Sequence, residues 1–546
     1  MKKITEDSWW TFTLLLVMLA YFSGLFIDLT GDSGLYAAIS RQMVESGDWF
    51  NLKINGIPYD QKPHLFFWLA GFGIQLFGNS NFAFKLFPFI YGMAGIYFAY
   101  RLGKQIFTEE TGKWTALIVG TSQIFFLYFF DFHTDSVLQT GVTFALWQLA
   151  AYLQQKKWTN FILAFTGVGL AMLTKGPVGA VLPFFAVLFY LVYKKDFKTL
   201  VHPKWFLGII IVIVFISPAL IHLYKSFGAS GLKFYFITNN FGRISGSYAG
   251  SSTDYTFYIH TILWAFLPWT IIVIAGIYST IKAWFTKSGI SEWSVFLLGS
   301  VIFLVSILSI SKGKAPNYFF ITIAPIAVIA ANWLVQFKNI QPENQKWLLV
   351  SQTVLASLSA VFAVFVIFIY SGNSIRIPLI LLVIFLAINF LKFSLMKDRY
   401  LKIILASLIL TGILNLFLNV KVLPDLYAYQ GARQVLKLFE ADNKSGKQLC
   451  NFDLEEYGLY FYARQPVENI NNWDELHKVM EKPGTWLYTN ESKYNDIIKM
   501  NYTIDTVYQI RQRGMNRINL KFLNPKTREQ SLKTNYLIVT GDKSGE

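Results

Sequence analysis

Cysteine is almost missing from this chain: Cys450 stands alone among 546 residues, which excludes an intrachain disulfide. Charge is scarce as well. Only 15% of residues are Asp, Glu, Lys or Arg, against 54% hydrophobic and 18% aromatic, a balance that excludes a soluble enzyme and places the chain among polytopic membrane proteins. The six histidines never fall into a zinc spacing, and no Walker or dinucleotide-binding glycine pattern, internal repeat or low-complexity tract occurs. Acidic residues are the minority sign, leaving a formal net charge of +16. In so apolar a chain that excess reflects orientation and contact with anionic lipid, and it needs no nucleic acid to explain it.

What is present is a series of apolar runs. The first, 9–27, is about twenty residues, enough to cross roughly 30 Å of hydrocarbon at 1.5 Å per residue. No small-residue cleavage site follows it, so an uncleaved span is expected. Further runs fall at 81–101, 114–130, 136–153, 159–173, 177–193, 205–224, 256–281, 293–310, 316–336, 347–370, 376–394 and 401–420, about thirteen in all. The apolar piece at 64–77 is too short to cross and is read as interfacial or re-entrant.

Lysine and arginine settle the orientation. Lys2, Lys3, Arg101, Lys104, Lys113, Lys156, Lys157, Lys194, Lys195, Lys282 and Lys346 all fall on the N-terminal side of the expected spans, so that side is predicted to be cytoplasmic. An odd number of crossings puts the C-terminus on the other face. After Leu423-Pro424 the apolar periodicity stops, and residues 424–546 read as a small extracytoplasmic α/β domain, with helices at 429–441 and 473–481 and strands at 458–463, 485–488, 503–511 and 536–539. Residues 1–423 form the membrane domain, with a first outer loop at 28–80.

Polar residues that a membrane chain ought to avoid gather on that outer face. The first loop supplies Asp32, Tyr36, Arg41, Tyr59, Lys62 and His64. The turn FDFHTDS supplies Asp131, His133 and Asp135; the next supplies Thr174 and Lys175. Asn239, Asn240 and Arg243 follow, then Lys312, Lys314 and Tyr318 of SKGKAPNY. Each has an ordinary reading: Asp32 or Asp135 caps a helix, Arg41 pairs with Glu45, a lysine snorkels. Together they describe one or two carboxylates facing several cations, which suits a phosphorylated lipid: Lys and Arg hold phosphate while a carboxylate acts on a hydroxyl.

Five ordered segments then match a known pattern. DSGLYAAISRQM from Asp32, SGDWFNLKINGIPYDQKPHLFFW from Ser46, LTKGPVGAVLP at 173–183, FLPWT at 266–270 and SISKGKAPNYFFITIAP at 309–325 together resemble the bacterial lipid A aminoarabinose transferase family and its wider relatives, the protein O-mannosyltransferases. Those are GT-C glycosyltransferases that use polyprenyl-phosphate sugars. The resemblance implies a thirteen-span GT-C core, a cavity opening to the periplasm of a bacterial inner membrane, and a small C-terminal domain over it. It implies that Asp32 is the first-loop carboxylate needed for activity and Asp135 the second acidic residue. It further implies that Lys62 of the Lys-Pro pair lies against phosphate, with Lys175, Arg243 and Tyr318 in the cavity. Lys312 and Lys314 are added as phosphate-binding candidates, and Tyr36, Tyr59, Gln61, His64 and Asn240 as cavity residues.

The chain also departs from that family. Ser33 replaces the second acid of the usual pair and Leu35 an arginine. Gln61 and Asn240 stand where the family has a Glu and a His that can bind metal; an amide pair is a poor substitute, so no metal and no other cofactor is expected. Sugar and acceptor are left open by these changes. The expected activity is inverting transfer of one sugar from a polyprenyl phosphate to an envelope lipid, glycan or protein, with Asp32 as base or positioning group. Two rivals are a sugar-lipid transporter or flippase, which would place ionisable residues at the midplane in two related halves, and a non-catalytic binding subunit.

Overall fold

The computed structural model describes residues 6–541 apart from 131, 249, 287–288, 338–345, 372–398, 443–445, 514–519 and 525. Of the apolar runs, the one at 376–394 lies outside the described residues, as does Asp131; the other twelve are helical. Six helices among the described residues are long and apolar enough to cross a membrane by length and composition, and shorter apolar helices accompany them. One of them, Asn81–Ile106, has 26 residues, or about 39 Å of helix.

Two runs are each broken in the middle. The 114–130 run is two helices, Glu109–Thr121 and Gln123–Phe130, and the 256–281 run is Phe257–Ala265 followed by Thr270–Trp284. The breaks face each other. The Gln123 N–H donates to the Leu267 carbonyl at 2.9 Å and the Trp269 indole to Thr121 Oγ1 at 2.8 Å, so backbone and side-chain groups freed by one break are satisfied by the other, as an apolar surrounding demands.

One helical hairpin carries a charged residue at each open end, Asp135 and Lys175. Its helices, Thr134–Gln155 and Trp158–Lys175, are joined by two residues, so they run antiparallel with nearly equal arms. Small residues let them close up: a Cβ at Gly167 would lie 2.9 Å from the Ala145 nitrogen, and one at Gly141 would lie 3.1 Å from Ala171. Close backbone approach through glycine is a recurring way for helices to associate without a hydrophobic drive. The hairpin therefore returns Lys175 to the level of Asp135.

The loop at 28–80 folds into the helix Asp32–Ser46, ended by Gly47 in the left-handed region at φ 69°, a two-stranded hairpin (β1, Lys53–Ile54; β2, Ile57–Pro58), and the helix Leu65–Phe77. At 13 residues that last helix is too short to cross, in keeping with an interfacial piece.

The final helical run passes from Arg399–Phe417 through a π turn at Leu418–Val422 into Leu423–Tyr427. The expected boundary at 423 and 424 thus falls inside a continuous helix, and the α/β unit starts at the helix Gly431–Ala441. Its five strands are β3 (Gln448–Phe452), β4 (Val467–Ile470), β5 (Thr485–Asn490), β6 (Ile504–Gln512) and β7 (Lys533–Thr540), in the order β4-β3-β5-β7-β6. β3 is parallel to β4 and β5; β7 is antiparallel to β5 and β6. Alternation decides the faces. Trp486, Tyr488, Leu537 and Val539 pack under Gly431–Ala441, while Leu487, Ile538 and Cys450 pack against Leu476 and Ile497 from two other helices.

The segment 458–463, expected as a strand, is instead the helix Tyr457–Tyr462. Its aromatic composition favours strand only where neighbours supply a sheet. Here the Arg41 guanidinium donates to the carbonyls of Tyr460, Phe461 and Ala463 at 2.6–3.2 Å, capping the helix from the loop at 28–80. The Tyr462 hydroxyl accepts from the Leu29 N–H at 2.8 Å, and Arg433 chelates Asp28 while stacking on Tyr462. The α/β unit is therefore docked on the loop at 28–80.

Candidate active site

Asp32 is the first residue of its helix and does not cap it; the N-cap is Gly31, at φ 49°, and makes no side-chain hydrogen bond. The Asp32 carboxylate is exposed and accepts no hydrogen bond among the described residues. Tyr36, one turn further on, is buried against Phe66, Phe67 and His133. Burial, with Tyr59, Asp32 and Asp135 nearby, pushes its phenol well above the ordinary range, so it is a neutral wall. Tyr59 is buried beside it and is shifted the same way, first by burial and then by Asp32.

Asp135 and Lys175 meet across the hairpin at 2.6 Å, with side chains 2% and 12% exposed. The second carboxylate oxygen accepts from Asn317 Nδ2 at 2.9 Å, and the Lys175 ammonium lies 4.9 Å from the Tyr318 ring centroid. Both oxygens of Asp135 are thus engaged. The pair also suits the helix ends, an acid in the first turn and a cation in the last.

Arg243 arrives from the short helix Asn239–Ser245. Its Nε donates to Asn239 Oδ1 at 3.0 Å and its Nη1 to the Tyr318 hydroxyl at 2.8 Å. The backbone around it is pinned to the SKGKAPNY turn: Gly313 N–H and Ser311 Oγ both donate to the Arg243 carbonyl at 2.9 Å. Gly250, at φ 93°, completes that contact, since a Cβ there would lie 2.4 Å from the Gly313 Cα. Lys62 is the remaining cation. It is half-buried and makes no hydrogen bond among the described residues. Burial, followed by the neighbouring Lys175 and Arg243, pulls its ammonium down to about 7.

The other expected residues are placed differently. Lys314 donates to the carbonyls of Ser309 and Ser311 at the end of the helix Glu292–Ile310, so it is spent on backbone. Lys312 is exposed at the rim. His64 is buried, bonded through Nε2 to the Phe50 carbonyl at 2.9 Å and packed on Trp68 and His222. Burial lowers its imidazole to about 4, and it latches the loop. Gln61 accepts from the Tyr248 hydroxyl at 2.8 Å, and Asn240 donates to the carbonyls of Tyr235 and Phe236. Two uncharged amides, with the Gln61 oxygen already accepting from Tyr248, do not fit a zinc-type cation, and no group of three or more His, Cys, Asp or Glu clusters among the described residues. Ser33 donates to the Phe132 carbonyl at 3.1 Å.

Sequence reasoning missed Asn317 and Tyr248. Asn317 sits inside the SKGKAPNY segment, whose polar residues at a membrane face were a usable signal; Tyr248 has no local signal.

Comparison with known proteins bears on the fold. The model of the family described as dolichyl-phosphate-mannose-protein mannosyltransferase matches residues 61–222. An uncharacterised Aquifex aeolicus protein is 28% identical over 480 residues, covering 87% of this chain and 90% of that protein. The undecaprenyl phosphate-alpha-4-amino-4-deoxy-L-arabinose arabinosyl transferase of Edwardsiella ictaluri is 24% identical over 63% of this chain and 62% of its own. The matched region therefore spans about three-fifths of that relative. Among solved structures, ArnT from Cupriavidus metallidurans bound to undecaprenyl phosphate superposes with a TM-score of 0.76 at 17% identity, over 98% of this chain and 99% of that one. The chain has the GT-C fold. Its GT-C fold accounts for the helical membrane domain with a small sheet domain at the C-terminus, and for the recognisable order of the five segments.

Proposed function

We propose that this chain moves one sugar, with inversion, from a polyprenyl-phosphate donor to an envelope acceptor at the outer face of a bacterial inner membrane. The observation that carries the reading is the unpartnered, exposed carboxylate of Asp32 within electrostatic reach of Lys62, which Lys175 and Arg243 also reach. The arabinosyl transferase relative is named for an undecaprenyl-phosphate sugar and the Cupriavidus structure holds undecaprenyl phosphate, which supports a donor of that class. The distribution of Lys and Arg supports that orientation, and the docking of the α/β unit on the loop at 28–80 keeps the two on one face.

In the mechanism, Lys175 and Arg243 are fixed cations, one held by Asp135 and the other by Tyr318 and Asn239, so they meet the donor phosphate without reorganising. Lys62 is the unheld cation, free to turn onto the phosphate. Asp135 acts by positioning Lys175. The leaving polyprenyl phosphate is already a competent anion, so it requires charge stabilisation and no proton. Asp32 takes the acceptor proton or orients its oxygen, a role typically worth about 10²- to 10⁴-fold.

The test is release of free polyprenyl phosphate from a panel of polyprenyl-phosphate sugars, with an envelope lipid extract as acceptor, by wild type and Asp32→Asn. Release that needs both the extract and Asp32 is expected. Donor binding without release from any member of the panel would refute transfer in favour of transport or binding.

A further inference from the structure

The backbone that carries Lys62 is tied down on both sides of it, although the Lys62 side chain is unheld. Three residues before it, the Tyr59 carbonyl accepts from His222 Nε2 at 2.8 Å. One residue before it, Gln61 Oε1 accepts from the Tyr248 hydroxyl at 2.8 Å. Two residues after it, His64 bonds back to the Phe50 carbonyl. Two of these three ties come from one stretch of chain, and that stretch also delivers Arg243. The helix Lys204–Lys233 carries His222, breaks at Gly228 with φ 62°, and continues through a π turn at Phe234–Thr238 into Asn239–Ser245, which carries Arg243. Tyr248 follows at once. Its N–H donates to the Gly242 carbonyl at 3.1 Å, and the Arg243 guanidinium lies 5.3 Å from its ring centroid.

His222 has no other polar employment among the described residues. It is 2% exposed and sits in an apolar run, where an ionisable side chain marks function. A carbonyl only accepts, so the hydrogen is on Nε2; Nδ1 is shielded from solvent and has no partner. The ring packs edge-on against His64 at 5.5 Å and against Phe227 at 6.5 Å. Asp48, Asp60 and Lys53 are within electrostatic reach of it, but none forms an ion pair with it among the described residues. An apolar side chain would fill the same space. It would leave the Tyr59 carbonyl unmet and the Lys62 segment untied from the Arg243 segment.

Resting on the transfer reading, we propose that His222, with Tyr248, is a positioning residue: it acts through the Tyr59 backbone to hold Lys62 in register with Arg243, so that the two cations meet one donor phosphate together. Neither residue touches the reacting atoms. Their contribution is preorganisation of a contact that Lys62 makes, and it vanishes when Lys62 has no charge to place.

The experiment measures donor kcat/KM of the purified full chain at pH 6, where Lys62 is charged, using the polyprenyl-phosphate sugar that supports release and the envelope lipid extract. His222→Leu is expected to lower it about tenfold, and His222→Gln, which offers an Nε2 donor at similar reach, to restore it to within about threefold of wild type. In a Lys62→Met background His222→Leu is expected to cost less than about twofold, since residues that act through one contact are not additive. Tyr248→Phe removes a single oxygen, keeps the ring against Arg243, and carries the same test at about fivefold if His222→Leu does not fold. A loss that recurs in full in the Lys62→Met background overturns the proposal in favour of plain packing. Wild-type kcat/KM in folded His222→Leu, or in Tyr248→Phe, overturns it as well, and both results leave the transfer reading intact. No release by wild type with any donor overturns the transfer reading and the proposal with it.

Discussion

Replacing Lys62 with methionine isolates the one cavity cation that nothing in the described structure holds. A hydrogen bond to a charged group contributes about 1.5–3 kcal/mol, so losing its contact with donor phosphate should lower kcat/KM roughly 10- to 150-fold at pH 6, at 1.4 kcal/mol per decade. The effect depends on pH in a definite direction. With its ammonium held down to about 7 by burial and by Lys175 and Arg243, wild-type Lys62 is about nine-tenths charged at pH 6 and about one-tenth at pH 8. Wild-type kcat/KM should therefore fall roughly tenfold across that interval while Lys62→Met stays flat, because kcat/KM reports groups of the free enzyme. The donor phosphodiester does not titrate there. Lys62→Arg should also stay flat, since guanidinium remains charged. Stability moves the opposite way. The unfolded chain binds the Lys62 proton more tightly between about pH 7 and 10, so wild-type stability should rise through that window relative to Lys62→Met. Donor titrations at half-unit pH steps provide the assay. A pH-independent wild-type kcat/KM, or an equal slope in Lys62→Met, would refute the assignment of Lys62 as a titrating phosphate ligand.

Three other perturbations test the remaining contacts. Asp135→Asn leaves Lys175 buried without its counter-charge and should destabilise the protein by about 3 kcal/mol; adding Lys175→Met should cost far less than the sum, a coupling that a double-mutant cycle in detergent denaturation would detect. Arg433→Ala removes the half-exposed contact with Asp28, worth about 1 kcal/mol after solvent screening, and limited proteolysis should then cut faster near 428–430 with the membrane domain intact. Exhaustive dialysis against a chelator should leave transfer unchanged, because Gln61 and Asn240 are uncharged amides and the Gln61 oxygen already accepts from Tyr248; stoichiometric zinc in the purified protein would contradict this.

The site was only partly legible before folding. Asp32, Lys62, Lys175, Arg243 and Tyr318 stood out because charge at a membrane face is costly and because five motifs recur in order. Lys314 and His64 looked equivalent to them in sequence, yet one is spent on helix-end carbonyls and the other on a loop carbonyl. Nothing local distinguishes a lysine that caps a helix from one that awaits phosphate. Residues 458–463 read as strand for a similar reason: the cap that makes them helical comes from Arg41, more than four hundred positions away.

The apolar runs and the α/β tail were determined by the sequence alone, since hydrophobic length and period-two alternation act over a few residues at a time. Tertiary structure alone decided the rest. It joined Asp135 to Lys175 across a helical hairpin, tied Arg243 to Tyr318, left Lys62 unheld, and docked residues from the far end of the chain on the loop at 28–80. Those are pairings between distant segments, and their energies exist only once packing has brought the partners within hydrogen-bond reach.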